Sequence, residues 1–155
     1  MSAAPDTAAP LRGLKVIDMA RILAGPWAGQ TLADLGAEVT KIESPQGDDT
    51  RSWGPPFIER EHPDGTTDLT AAYFYAANRG KETVLCDFRD AGDIARLKTM
   101  IAGADVLIEN FKVGGLRKYG LDFESLSALN PRRAGWAMRI RISCPIRFFQ
   151  PTMAT

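Results

Sequence analysis

The chain has 155 residues, 45% hydrophobic and 25% charged, which is the composition and length of an ordinary globular domain. Nineteen basic and nineteen acidic residues cancel, so there is no global electrostatic signature for nucleic acid or an anionic membrane. One histidine (His62) and two cysteines (Cys86, Cys144) exclude a His-rich metal site and a disulfide framework.

No apolar run approaches the roughly 20 residues of a membrane span, and Met1–Asp6 lacks the form of a secretory signal. A cytoplasmic location is therefore expected. Residues 1–9 are rich in Ala, Pro, Ser and Thr and read as a disordered tail. Leu14-Lys15-Val16-Ile17-Asp18 reads as a buried strand. Gly25-Pro26 then punctuates the chain, with Pro26 suited to the first position of a helix. Ala28, Leu32 and Leu35 give that helix one apolar face, and Gly36 stops it. Val39–Ile42 is a second strand, and the β-α-β unit predicts parallel strands with a right-handed crossover.

Residues 44–68 read as a long loop, with five prolines and glycines between Pro45 and Pro56. Leu69–Ala77 predicts a short buried helix, and Thr83–Asp87 a third strand. Asp90 caps the next helix, whose Ile94, Leu97, Met100 and Ile101 share a face and which Gly103 ends. Asp105–Ile108 is a fourth strand, followed by Asn110 and two short helices around Leu116 and Leu126. Alternating strands and helices predict an α/β, Rossmann-like fold with a mostly parallel sheet. From Arg132 onward there are five arginines and no acid, leaving 14 basic against 19 acidic residues upstream. The tail 133–155 has no readable period and is expected to be aberrant or disordered.

Ligands of open parallel sheets sit beyond the carboxyl ends of the strands. Three segments fall there: Arg21–Pro26, Glu43–Asp49 and Glu109–Phe111. The first presents backbone N–H groups and a helix N-terminus, unless Gly25 merely serves a tight turn. Glu43 lies 18 residues after Gly25, near the spacing of a ribose-binding acid. Against a nicotinamide site, the turn is Ala24-Gly25-Pro26-Trp27-Ala28-Gly29 rather than G-x-G-x-x-G, and Trp27 adds bulk where pyrophosphate would approach. Arg79 and Lys81, beside Gly80, and the cluster Lys112, Arg117 and Lys118 could together clamp a polyphosphate. Asp48-Asp49 reads as a solvated loop, His62 as exposed, and no nucleophile stands beside a base.

Several blocks in order resemble the amino-terminal part of the family III CoA transferases (CaiB/BaiF type). They are Pro10–Asp18, Leu23–Pro26, Leu35–Glu43, Asn78–Lys81, Ala104–Phe111 and Asn130-Pro131-Arg132. The group contains formyl-CoA transferase, carnitine CoA transferase and α-methylacyl-CoA racemase. The resemblance spans about residues 10–132 and implies a domain there.

It implies coenzyme A as part of an acyl-CoA substrate, with no metal or redox cofactor. The implied contacts are Ile22, Leu23 and Ala24, the backbone near Cys86, the pair Asn110-Phe111, and Lys118, with Arg79 and Lys81 as further candidates. A family arginine after the strand-two acid is replaced by Ser44. The run Asp48–Pro56 resembles members that move CoA between dicarboxylic acids, which points to a transferase rather than a racemase. The implied partners are small acyl-CoA and carboxylate molecules, with an interlocked homodimer for the full-length form.

In the family's transferases an aspartate attacks the thioester, forming a mixed anhydride and releasing CoA thiolate. That aspartate is expected beyond the end of this chain, which makes the chain a fragment expected to be inactive alone. A non-catalytic CoA-binding module and a non-functional gene fragment are the alternatives.

Overall fold

A computed structural model of the chain describes residues 9–61 and 64–129. The tails, His62, Cys144 and the Asn130-Pro131-Arg132 block lie outside the described residues. Four parallel strands form the main sheet: β1 (Lys15–Asp18), β2 (Glu38–Glu43), β5 (Glu82–Leu85) and β6 (Val106–Ile108). Their order is β5-β2-β1-β6, with Val16 beside Val39 on one side and beside Val106 on the other. Chain order reverses between β1 and β6, which is where an open α/β sheet opens a crevice.

Period-2 alternation divides the core into two layers. Val16, Val39 and Ile108 face one side with Ala28, Leu32 and Ala33 of α1 (Ala24–Asp34). Ile17 and Ile42 face the other, against Leu97 and Ile101 of α3 (Ala91–Ala102) and Leu126 of α4 (Phe123–Leu129). The helix boundaries follow their capping residues. Asp90 accepts from the Asp93 N–H at 2.8 Å to open α3. Gly36, at φ +95°, closes α1 while the Gly36 and Ala37 N–H groups bond the Ala33 and Leu32 carbonyls. That is a Schellman arrangement.

Three expectations change. Pro26 is the third rather than the first residue of α1, where its missing N–H is still one that the helix leaves unbonded. The 44–68 segment is not all loop. Asp49–Ser52 forms a 3-10 turn, and β3 (Phe57–Glu61) pairs antiparallel with β4 (Thr67–Ala71). The predicted helix over 69–77 begins later, as α2 (Ala72–Asn78), because Leu69–Ala71 belong to β4. β3 is exposed along its whole length, so it carries no buried alternation to read.

Candidate functional site

The chain leaves β1 through a turn held from every side. The Met19 N–H bonds the Ile108 carbonyl at 2.8 Å, tying β1 to β6 past the last register pair. Asn110 then grips Arg21 twice: its Oδ1 accepts from the Arg21 N–H (2.9 Å), and its Nδ2 donates to the Arg21 carbonyl (2.8 Å). The next residue, Ile22, has φ +73°, a left-handed conformation that a β-branched side chain rarely adopts. Such strain costs on the order of 1–3 kcal/mol and persists only where surrounding structure fixes it. Here the Ile22 N–H reaches Asp48 Oδ2 at 3.3 Å.

Beneath the turn lies a cluster of buried charge. Asp18, Lys41 and Glu43 occupy the α1-facing positions of β1 and β2, continuing the alternation of Val16 and Val39 with ions instead of apolar side chains. Lys41, fully buried, donates to the Ala20 carbonyl (3.0 Å) and pairs with Asp48 Oδ2 (2.9 Å). Asp48 also accepts from the Thr50 N–H and hydroxyl. Burial alone would raise the Asp48 pKa, but the Lys41 charge and these hydrogen bonds hold it below the usual value.

Glu43 is gripped by Arg51 through Nε at 2.7 Å and Nη2 at 2.8 Å, and the Arg51 guanidinium lies 3.7 Å from the Phe74 ring centroid. A Glu43 so occupied is unavailable to a ribose. Lys81 donates to Asp18 Oδ2 (2.7 Å), the Pro26 carbonyl (2.7 Å) and Asn78 Oδ1 (2.9 Å). Burial lowers the Lys81 pKa despite the Asp18 partner.

A shallow open depression of about 280 Å3 lies on the α3 side of the same strand ends, lined by Phe88, Arg89, Asp90, Ala91, Ile94, Lys118 and Tyr119. Phe88 packs on Phe111 and Tyr119, with ring centroids at 5.9 and 5.3 Å. Lys118 Nζ lies 4.7 Å from the Tyr119 ring centroid. Arg89 donates to both oxygens of Asp87, holding that carboxyl down at about 2. Lys118, with the rings of Phe88 and Tyr119 beside a helix N-terminus, suits a phosphate and a flat base, while Arg89 is held by Asp87.

The structure therefore gathers Ile22, Leu23, Ala24, Asn110 and Phe111 at the β1–β6 crevice, with Lys118 beyond the Phe111, Phe88 and Tyr119 rings. The Asn110 amide is spent on the turn, so its role there is positioning. Cys86 contributes only backbone at this edge. Its side chain is buried, and burial first, with Asp93 second, raises its thiol pKa. Of the remaining two candidates, Arg79 sits in an exposed ion pair away from the turn and Lys81 is buried beneath it. Arg79 pairs with Asp34 at the far end of α1 (2.8 Å), and the Lys81 side chain is 1% exposed.

Sequence reasoning did not single out Lys41, Phe88, Arg89 or Tyr119. The signal for Lys41 was its place, with Glu43, on the Val39 face of a parallel strand. Gly25 is required by packing rather than by its turn: a methyl there would overlap the Ala20 Cβ. Gly25→Ala is expected to cost about 1–3 kcal/mol, measured as a drop in the denaturation midpoint.

CoA-transferase family III matches residues 11–132. A succinate–glutarate CoA-transferase of Agrobacterium fabrum is 53% identical over 133 residues, covering 85% of this chain and 32% of that protein. The human succinyl-CoA:glutarate CoA-transferase is 40% identical over 123 residues, covering 79% of this chain and 26% of its own length. A crystal structure of a CaiB/BaiF family protein from Brucella suis matches with a TM-score of 0.73 and 61% identity, over 79% of this chain and 31% of that one. The chain thus spans about a third or less of the length of these relatives. With both the ordered motifs and the sheet topology in agreement, the chain belongs to CoA-transferase family III.

Proposed function

We propose that this domain is the CoA-binding part of a cytoplasmic enzyme that moves CoA from an acyl-CoA to a carboxylic acid acceptor, with a dicarboxylate among its substrates. The observation that carries the reading is the clamped turn at the switch point of the sheet, which presents Ile22, Leu23 and Ala24 in a fixed, strained conformation. Beside it lies the cationic and aromatic depression that suits the nucleotide end of CoA. The dicarboxylate part rests on relatives named for succinate and glutarate.

Phosphates would meet Lys118 and Arg89, the adenine would stack at Phe88 and Tyr119, and the pantetheine arm would pass Phe111 towards the 22–24 turn. Asp18, Glu43 and Asp48 are themselves buried and each is paired with a cation, so thioester chemistry is not assigned to them. In the whole protein that step would belong to a carboxylate nucleophile, within a homodimer.

Thermal unfolding with added nucleotide tests the reading. CoA at 100 times its Kd is expected to stabilise the chain by about 2.7 kcal/mol. NADH at the same concentration should give no shift, and Lys118→Ala should shrink the CoA shift. Equal shifts with both nucleotides, or none with CoA, would contradict it.

A further inference from the structure

Around the turn, Lys41, Lys81 and Arg51 are each held by a buried carboxylate. Lys41 and Lys81, with side chains 0% and 1% exposed, hold Asp48 and Asp18, and Arg51 spans both oxygens of Glu43. Arg21 differs. Its backbone is pinned on both N–H and carbonyl by Asn110, yet its side chain is 49% exposed. Among the described residues its side-chain partner is Asp49, reached through Nη2 at 2.7 Å, and that carboxylate is itself 54% exposed. An ion pair this exposed is weak and exchanges readily. A guanidinium has five N–H donors, so most of the fork stays open to a second planar anion.

A fixed backbone carrying a guanidinium held only by an exposed, exchangeable ion pair is an anchor for a carboxylate. Its position sets which carboxylate. Asn110 joins Arg21 to Phe111, and Phe111 packs on Phe88 at the depression. A ligand with its nucleotide in the depression and its arm running past Phe111 and Asn110 would bring its acyl end towards Arg21. Resting on the CoA reading above, we propose that Arg21 is a specificity residue that selects acyl-CoA substrates bearing a second, distal carboxylate.

Succinyl-CoA and butyryl-CoA test this, because they differ chiefly in a terminal carboxylate against a methyl group. In calorimetric titrations of the 155-residue chain, succinyl-CoA should bind at least about tenfold more tightly than butyryl-CoA. Arg21→Gln should bring the ratio of the two constants to about one. Arg21→Lys, which keeps the charge but loses the fork, should give an intermediate ratio. Using the ratio removes any general loss of fold or affinity from the comparison. A wild-type ratio near one, or an unchanged ratio in Arg21→Gln, would overturn the role of Arg21 while leaving CoA binding intact. Failure of every CoA species to bind wild-type chain would instead overturn the underlying reading, and this inference with it.

Discussion

Lys41→Ala is expected to lower the unfolding free energy by about 3–5 kcal/mol, a large fraction of the stability of a domain this size. The ammonium is fully buried and touches the Ala20 carbonyl and Asp48. Removing it strands a buried carboxylate and a buried carbonyl together, while Asp48 keeps only its neutral donors. Urea denaturation followed by circular dichroism measures the loss. Because the two side chains are in contact, Lys41→Met with Asp48→Leu should cost less than the sum of the single changes, by about 0.5–3 kcal/mol. A loss under 1 kcal/mol for Lys41→Ala would mean that the pair is not buried as described.

The same pair sets a dependence on acidity. Asp48 has a folded pKa below its unfolded value, so its contribution to stability is complete above the unfolded value, near 4. It is lost as the pH falls through the folded pKa. Without Lys41, burial of the carboxylate is no longer offset by that charge, so Lys41→Ala should move the acid-unfolding midpoint to higher pH. A midpoint that stays put would contradict the assignment.

Asn110→Ala is the second large expectation, and it reads on binding rather than on the core. Both hydrogen bonds that Asn110 makes end on the Arg21 backbone, one residue before strained Ile22. Each is worth about 1 kcal/mol, so their loss is expected to release the turn and weaken CoA binding at least tenfold, with the sheet intact. Asn110→Asp keeps the acceptor for the Arg21 N–H but sets an oxygen against the Arg21 carbonyl, so it should fare no better than alanine. Adding Lys118→Ala should abolish binding. Equilibrium dialysis with labelled CoA measures this series, and wild-type affinity in Asn110→Ala would remove the clamp from the account.

The parallel sheet was legible because its strands and helices carry strong periods and clear stops. Asp90 opens α3 and Gly36 closes α1 for the reasons their chemistry gives. The β3–β4 hairpin was not legible, since β3 buries none of its residues and leaves no alternation in the sequence. At the candidate site, the ordered motifs pointed to the 22–24 turn and Asn110, which the fold brings together at the β1–β6 crevice. They did not separate a ligand contact from a positioning contact, which depends on where the Asn110 amide points. Whether Arg79 and Lys81 face solvent or the interior was not legible, because two cations flanking a glycine read alike in either place. Only the tertiary fold carries the Lys81 ammonium onto Asp18.

The most direct test is calorimetric titration of CoA into the 155-residue chain, once circular dichroism shows it folded. The account predicts saturable binding with one CoA per chain, weakened by Asn110→Ala and lost when Lys118→Ala is added. A folded chain that gives no saturable heat would contradict the assignment of this sheet edge to CoA.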